Sequence, residues 1–226
     1  MSKKIFWRRF CIALVLVICV SLLTPVQSEA AAKNSAANVV KLYRQGKYSK
    51  ARTMAKKLPK KASKKYEKNM SKKMKKAYLK KVKSFKTLKN WSSSGKVPKN
   101  GYIWGYYLVD IDNDKKTDLI VKHGTCEAEV MISVYTYTKG KVKKIGTEPM
   151  GHTALYDYPG KKGIIVMWGH MGGEEMSILK IKGKKLVWEY VGGRDVSSKK
   201  YIQMPYTLNS HWSSKHVYGA NLNALK

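Results

Sequence analysis

Residues 110–118 read Asp-Ile-Asp-Asn-Asp-Lys-Lys-Thr-Asp, so carboxylates fall at loop positions 1, 3, 5 and 9. Alternation along an extended chain aims Asp110, Asp112 and Asp114 to one side, and Asp118 rejoins them as the chain turns back. Four carboxylates gathered this closely repel one another unless a cation lies among them. A hard divalent ion such as Ca²⁺ takes six to eight oxygens, and the Lys116 carbonyl at position 7 plus water could complete that shell. The sequence therefore predicts a Ca²⁺ site on Asp110, Asp112, Asp114, Lys116 and Asp118. An EF-hand would need a Glu at position 12, where Val121 stands, and helical flanks that this sequence lacks.

A second set of reactive side chains is His123, Cys126, Glu127, His152, His170, Glu174 and Glu175. These types could supply zinc ligands or an acid–base pair. None falls in H-E-x-x-H, and the chain has no nucleophile elbow, P-loop or dinucleotide fingerprint. The expectation is turn residues, with each His satisfied by backbone carbonyls, and no catalysis.

Strands must position the aspartate loop. Tyr102 to Val109, Leu119-Ile120-Val121, Val130 to Thr138 and Val142 to Ile145 are β-branched and aromatic, and glycine-bearing turns recur from Lys139-Gly140 to Gly192-Gly193. Short strands at this spacing predict an antiparallel β domain over 101–226. The loop resembles the β-hairpin calcium loop of FG-GAP/VCBS repeats, D-x-D-x-D-G-x-x-D-L, which Asp110, Asp112, Asp114, Asp118 and Leu119 match. The resemblance implies that the four aspartates are ligands and Lys116 a backbone ligand. It departs at Lys115, where the family has Gly; a side chain forced to φ > 0 costs ~1 kcal/mol or more and lowers the expected affinity. A shift of 45 residues lays Asp157 on Asp112, Gly163 on Asp118 and Ile164-Ile165-Val166 on Leu119-Ile120-Val121. Two blade-like four-stranded repeats, 102–147 and 153–192, are thus expected. Two units cannot close a propeller, so a sandwich or bent sheet is expected instead.

The 226 residues carry 46 Lys+Arg against 14 Asp+Glu, a formal charge of +32 that points to a polyanionic partner. The excess lies mostly in 33–90, where 20 lysines, Arg44 and Arg52 face Glu67 alone. That region reads as helices: Ala36, Val39, Val40 and Tyr43 keep helical spacing, as do Tyr48, Ala51, Ala55 and Leu58. Tyr66, Met70, Met74, Ala77, Tyr78, Val82 and Phe85 mark a further stripe. Gly46-Lys47-Tyr48-Ser49-Lys50-Ala51 resembles a tetratricopeptide turn, but a solenoid needs at least three repeats, so a helical hairpin is expected. The turn-rich stretch 91–100 is the expected linker. The fold class is thus α+β multidomain, a Lys-rich helical hairpin region followed by an antiparallel all-β domain.

Lys3, Lys4, Arg8 and Arg9, the apolar run Cys11–Leu23 and the small residues near Ala30 describe a signal peptide over 1–30. This thirteen-residue stretch, apolar except for Ser21, falls short of the ~20 a spanning helix needs, so a secreted chain without a later transmembrane segment is expected. Cleavage would leave Cys126 alone, and a lone thiol is expected to be a buried small hydrophobe. Lys in place of Arg suits point-charge attraction to an anionic wall or surface polymer, not sequence-specific nucleic acid. The expectation is a calcium-stabilised binding or adhesion protein of the cell envelope. Its rivals are a metal-dependent hydrolase of wall polymers and an accessory subunit that docks an acidic protein.

Overall fold

Ser35 opens the first helix by accepting a hydrogen bond from the Asn38 amide at 3.3 Å, satisfying one of the donors that a helix start leaves unpaired. The computed structural model describes residues 35–58, 65–88, 96–197, 200–204, 208–213 and 218–226. The expected signal peptide and part of the expected linker lie outside the described residues. Helix α1 spans Ala36–Arg44 and α2 spans Tyr48–Lys57. Gly46 turns the chain between them at φ +68, where a Cβ would be strained. The short α3, Lys65–Lys68, precedes α4, Lys72–Lys83, whose N-cap Ser71 accepts from the Met74 amide at 3.2 Å.

Eight strands follow: β1 Tyr102–Val109, β2 Asp118–Gly124, β3 Met131–Thr138, β4 Lys141–Pro149, β5 Thr153–Tyr156, β6 Ile164–His170, β7 Gly173–Lys182 and β8 Lys185–Asp195. They form two antiparallel four-stranded sheets, each paired in sequence order, β1–β4 and β5–β8. Two hairpins close with both turn residues at positive φ, Lys139-Gly140 and Met171-Gly172. That backbone matches the right-handed twist of the flanking strands, so the turn sets the register despite the side chains at Lys139 and Met171.

Burial joins these parts into layers. Val109, Leu119, Ile120, Ile132 and Val134 of the first sheet share one core with Leu155, Ile164, Val166 and Leu179 of the second. The same core takes in Tyr66, Met70, Met74, Tyr78 and Val82 from the α3–α4 segment. The opposite face of the second sheet, Ile165, Met167, Met176, Ile178 and Val191, packs against Ala36, Val39, Val40, Tyr43, Ala51 and Ala55 of α1 and α2. Each helical pair is therefore packed on a sheet. The sheets meet closely at Gly146, where a Cβ would lie 2.8 Å from Leu186 Cδ1.

The C-terminal tail wraps this body. The Leu208 amide donates to the Leu155 carbonyl at 3.1 Å and the His211 amide to the Tyr106 carbonyl at 2.9 Å. Leu88 bridges Tyr218, Trp104 stacks on Tyr218 at 4.4 Å, and Leu225 enters the first core. No described helix is long and apolar enough to cross a membrane.

Candidate functional site

The β1–β2 connection carries the aspartates. Carboxylate oxygens of Asp110, Asp112 and Asp118 converge within 4.8 Å of one another, the only such group of three or more metal-ligating side chains among the described residues. Backbone amides draw the loop round them: Asp114 N donates to Asp110 Oδ1 at 3.0 Å and to Asp112 Oδ1 at 3.2 Å, and Lys115 N donates to Asp110 Oδ2 at 2.9 Å. This wrapping needs Asn113 at φ +58 and Lys115 at φ +68. Lys115, standing where the resembled motif has Gly, thus takes the left-handed backbone and its cost. Asp114 also meets Lys116. Its Oδ2 pairs with Lys116 Nζ at 2.7 Å and its Oδ1 accepts from Lys116 N at 2.8 Å.

Asp118 is the buried member, 1% exposed, and accepts from Ile111 N at 3.0 Å. Burial, with Asp112 and Asp114 adding their negative charge, pushes its carboxyl up to about 7. Burial and Asp114 likewise raise Asp112. For Asp114, the upward push of burial is outweighed by Lys116, which lowers it. The all-oxygen donor set fits a hard cation, which would replace the missing counter-charge on three carboxylates, two of them raised.

The loop is also a junction. Thr117 Oγ1 donates to the Tyr66 carbonyl at 2.8 Å, and Tyr78 Oη donates to the Thr117 carbonyl at 2.7 Å. Gly163 N donates to the Ile111 carbonyl at 2.6 Å. Eight residues thus tie α3, α4 and the second sheet's first hairpin to the first sheet. Asp157, following β5 as Asp110 follows β1, is buried and accepts from Tyr66 Oη at 2.9 Å.

The other reactive side chains divide. His123 is buried between the Asn100 carbonyl, 2.7 Å from Nδ1, and Ser133 Oγ, 2.9 Å from Nε2. Cys126 is exposed, contrary to the buried thiol expected; it lies in the turn that leaves β2, beyond the reach of either core. Glu174 is locked by Arg194 Nε at 2.9 Å and by Ile202 N at 2.6 Å. His152 and His170 stack face to face, ring centres 3.9 Å apart.

Between the end of β4 with the β4–β5 connection and one face of β6, β7 and β8 lies a cleft that the sequence did not mark as a site. A cavity of about 610 Å³ is bounded by Pro149, Gly151 and His152 on one side and by Trp168, Glu175, Ser177, Trp188 and Tyr190 on the other. A second cavity of about 350 Å³ shares His152, Thr153 and Trp168 with it and adds Glu127, Tyr201 and Gln203. The period-2 spacing of Trp188 and Tyr190, flanking Glu189 on a strand, was the available signal: same-face aromatics with nothing to cover them. Comparison with family models, with curated proteins and with solved structures finds no match for this chain.

Proposed function

We propose that this chain is an exported, calcium-stabilised binding protein that attaches electrostatically to anionic cell-envelope polymers and does no catalysis of its own. The observation that carries the reading is α4. Its twelve residues include seven lysines and no acid, and none of those lysines is ion-paired among the described residues. Lys72, Lys76, Lys80 and Lys83 keep helical spacing on the exposed side, a row of charges about 4.5–6 Å apart along the axis. Lys72, Lys73 and Lys75 also crowd the first turn, where the helix dipole is already positive. An anionic polymer would relieve both strains.

Calcium belongs to this reading as a structural ion on Asp110, Asp112 and Asp118, with Asp114 and the Lys116 carbonyl as the further ligands that the FG-GAP/VCBS resemblance implies. Support comes from the converging carboxylates and from the ties that carry loop order to α3 and α4. The two meanders, alike in strand order, support reading them as blade-like repeats.

The test loads the chain on beads bearing a phosphodiester wall polymer and elutes with salt, while melts are run in EDTA and in millimolar CaCl₂ beside Asp112→Ala. Charge-led retention must weaken steeply as salt rises. A bound ion at a hundredfold over its Kd stabilises by about 2.7 kcal/mol, so the wild-type melt should rise by several degrees and the variant's should not. Retention indifferent to salt removes the electrostatic part, and superimposed melts remove the calcium part.

A further inference from the structure

We propose that the cleft between the two sheets binds an uncharged glycan several sugar rings long. This site is separate from the lysine face and the aspartate loop, and its ligand chemistry is different.

The lining selects against charge. The chain carries 46 Lys+Arg, yet among the described residues neither of the two adjoining cavities is lined by one. Glu175 and Glu127 are there instead, and they would repel the anions that the helices attract. A cationic ligand meets the opposite obstacle, the repulsive field of a chain at +32. A neutral ligand avoids both penalties.

The walls select for sugar rings. A pyranose offers a C–H face that packs on an aromatic ring and hydroxyls at its rim that seek polar groups. The cleft supplies both: Trp168, Trp188 and Tyr190 stand 37%, 39% and 64% exposed, and Glu175, Ser177, His152 and Gln203 lie beside them. Aromatic walls with a few placed polar groups are the usual form of a small-ligand site. Trp168 lines both cavities, so a ligand that fills them must cross its ring, and that calls for a chain of sugars.

One aromatic ring is held by a hydrogen bond, and glycines make room for the other two. Glu148 Oε2 accepts from Trp188 Nε1 at 2.8 Å. Gly173 makes room for Trp168, whose Cζ3 would lie 3.0 Å from a Cβ at that position, and Gly193 does the same for the Tyr190 hydroxyl at 3.0 Å. A ring fixed before binding, as Trp188 is, spares the ligand the cost of ordering it. Glu174, which also borders the second cavity, is saturated by Arg194 and Ile202 and shapes the wall.

The experiment titrates the full chain with four neutral tetrasaccharides, those of β-1,4-linked N-acetylglucosamine, β-1,4-linked glucose, α-1,4-linked glucose and β-1,4-linked mannose. Tryptophan fluorescence and saturation transfer to the sugar C–H protons report binding. At least one sugar should saturate with an affinity that high salt leaves unchanged. Trp168→Ala should weaken it by about tenfold or more. Tyr190→Ala, at a largely exposed position that leaves the core intact, should weaken it less and stands in if the first variant does not fold. No saturation by any of the four overturns the proposal. So does binding that both variants leave intact. Quenching by tetramethylammonium in place of the sugars also overturns it, since the cleft would then be a cation cage.

Discussion

At His123 the hydrogen-bond partners decide which nitrogen carries the proton. The Asn100 carbonyl can only accept, so Nδ1 is the donor, and Nε2 accepts from Ser133 Oγ, itself 2.9 Å from Thr147 Oγ1. The neutral ring is thus built into the network. Burial lowers its pKa below the ordinary 6.5; the Asn100 carbonyl resists this, while nearby Lys144 pushes the same way. Above about pH 6.5 neither folded nor unfolded chain holds the extra proton, and the full stability is present. As pH falls through that value the unfolded chain takes it up first, and stability drops by up to about 1.4 kcal/mol per pH unit until the folded ring titrates. His123→Gln, which can still donate to Asn100 and accept from Ser133, should narrow the gap between melting temperatures at about pH 7.5 and about pH 5. His211, half-buried and likewise lowered by burial despite Glu67 at 3.6 Å, keeps part of that gap open. An unchanged gap would assign the acid sensitivity elsewhere.

Among the elements, α4 sets stability against binding. Its first turn holds Lys72, Lys73 and Lys75, the sign that the dipole disfavours there. Lys72→Glu with Lys73→Glu should therefore stabilise the fold by about 0.3–1 kcal/mol per site while weakening retention on an anionic polymer. A melt and a salt elution of the same variant check both, and a variant that loses retention only because it unfolds would contradict the argument. The helices were legible because period dominates their signal: every stripe residue read from spacing is buried except Tyr48, Ala77 and Phe85, which are half-buried. The strands were legible too, the expected 102–147 and 153–192 standing beside sheets of 102–149 and 153–195. Within the aspartate loop, spacing foretold the gathering of Asp110, Asp112 and Asp118 but not the contacts of Asp114 with Lys116, whose flexible ammonium and amide both reach the same carboxylate. The sugar-sized cleft was illegible for a different reason. It exists only between sheets, and nothing local to β6 or β8 says how far apart the two sheets stand.

For the whole molecule, the expected division into a helical region and a β domain meets a physical difficulty. The face of the second sheet that carries Ile165, Met167, Met176, Ile178 and Val191 is covered by α1 and α2. The α3–α4 segment shares its core with the first sheet, and Tyr66 and Tyr78 donate hydrogen bonds to Asp157 and to the Thr117 carbonyl. Removing the helices would strip apolar cover from both sheets and orphan Asp157, a buried carboxylate that burial already raises. An isolated sheet face of that kind is the sort of large apolar patch that soluble domains seldom expose. A chain of residues 96–226 should therefore bind a hydrophobic dye, lose its sharp near-ultraviolet signal and melt without a cooperative step, while the full chain melts in one transition. Adding the helices back as residues 35–88 in trans should restore part of the cooperative melt, because the buried faces are complementary. A fragment of 96–226 that folds and melts sharply alone would establish two independent domains, and the loop's ties to α3 and α4 would then be contacts between neighbours, not parts of one fold.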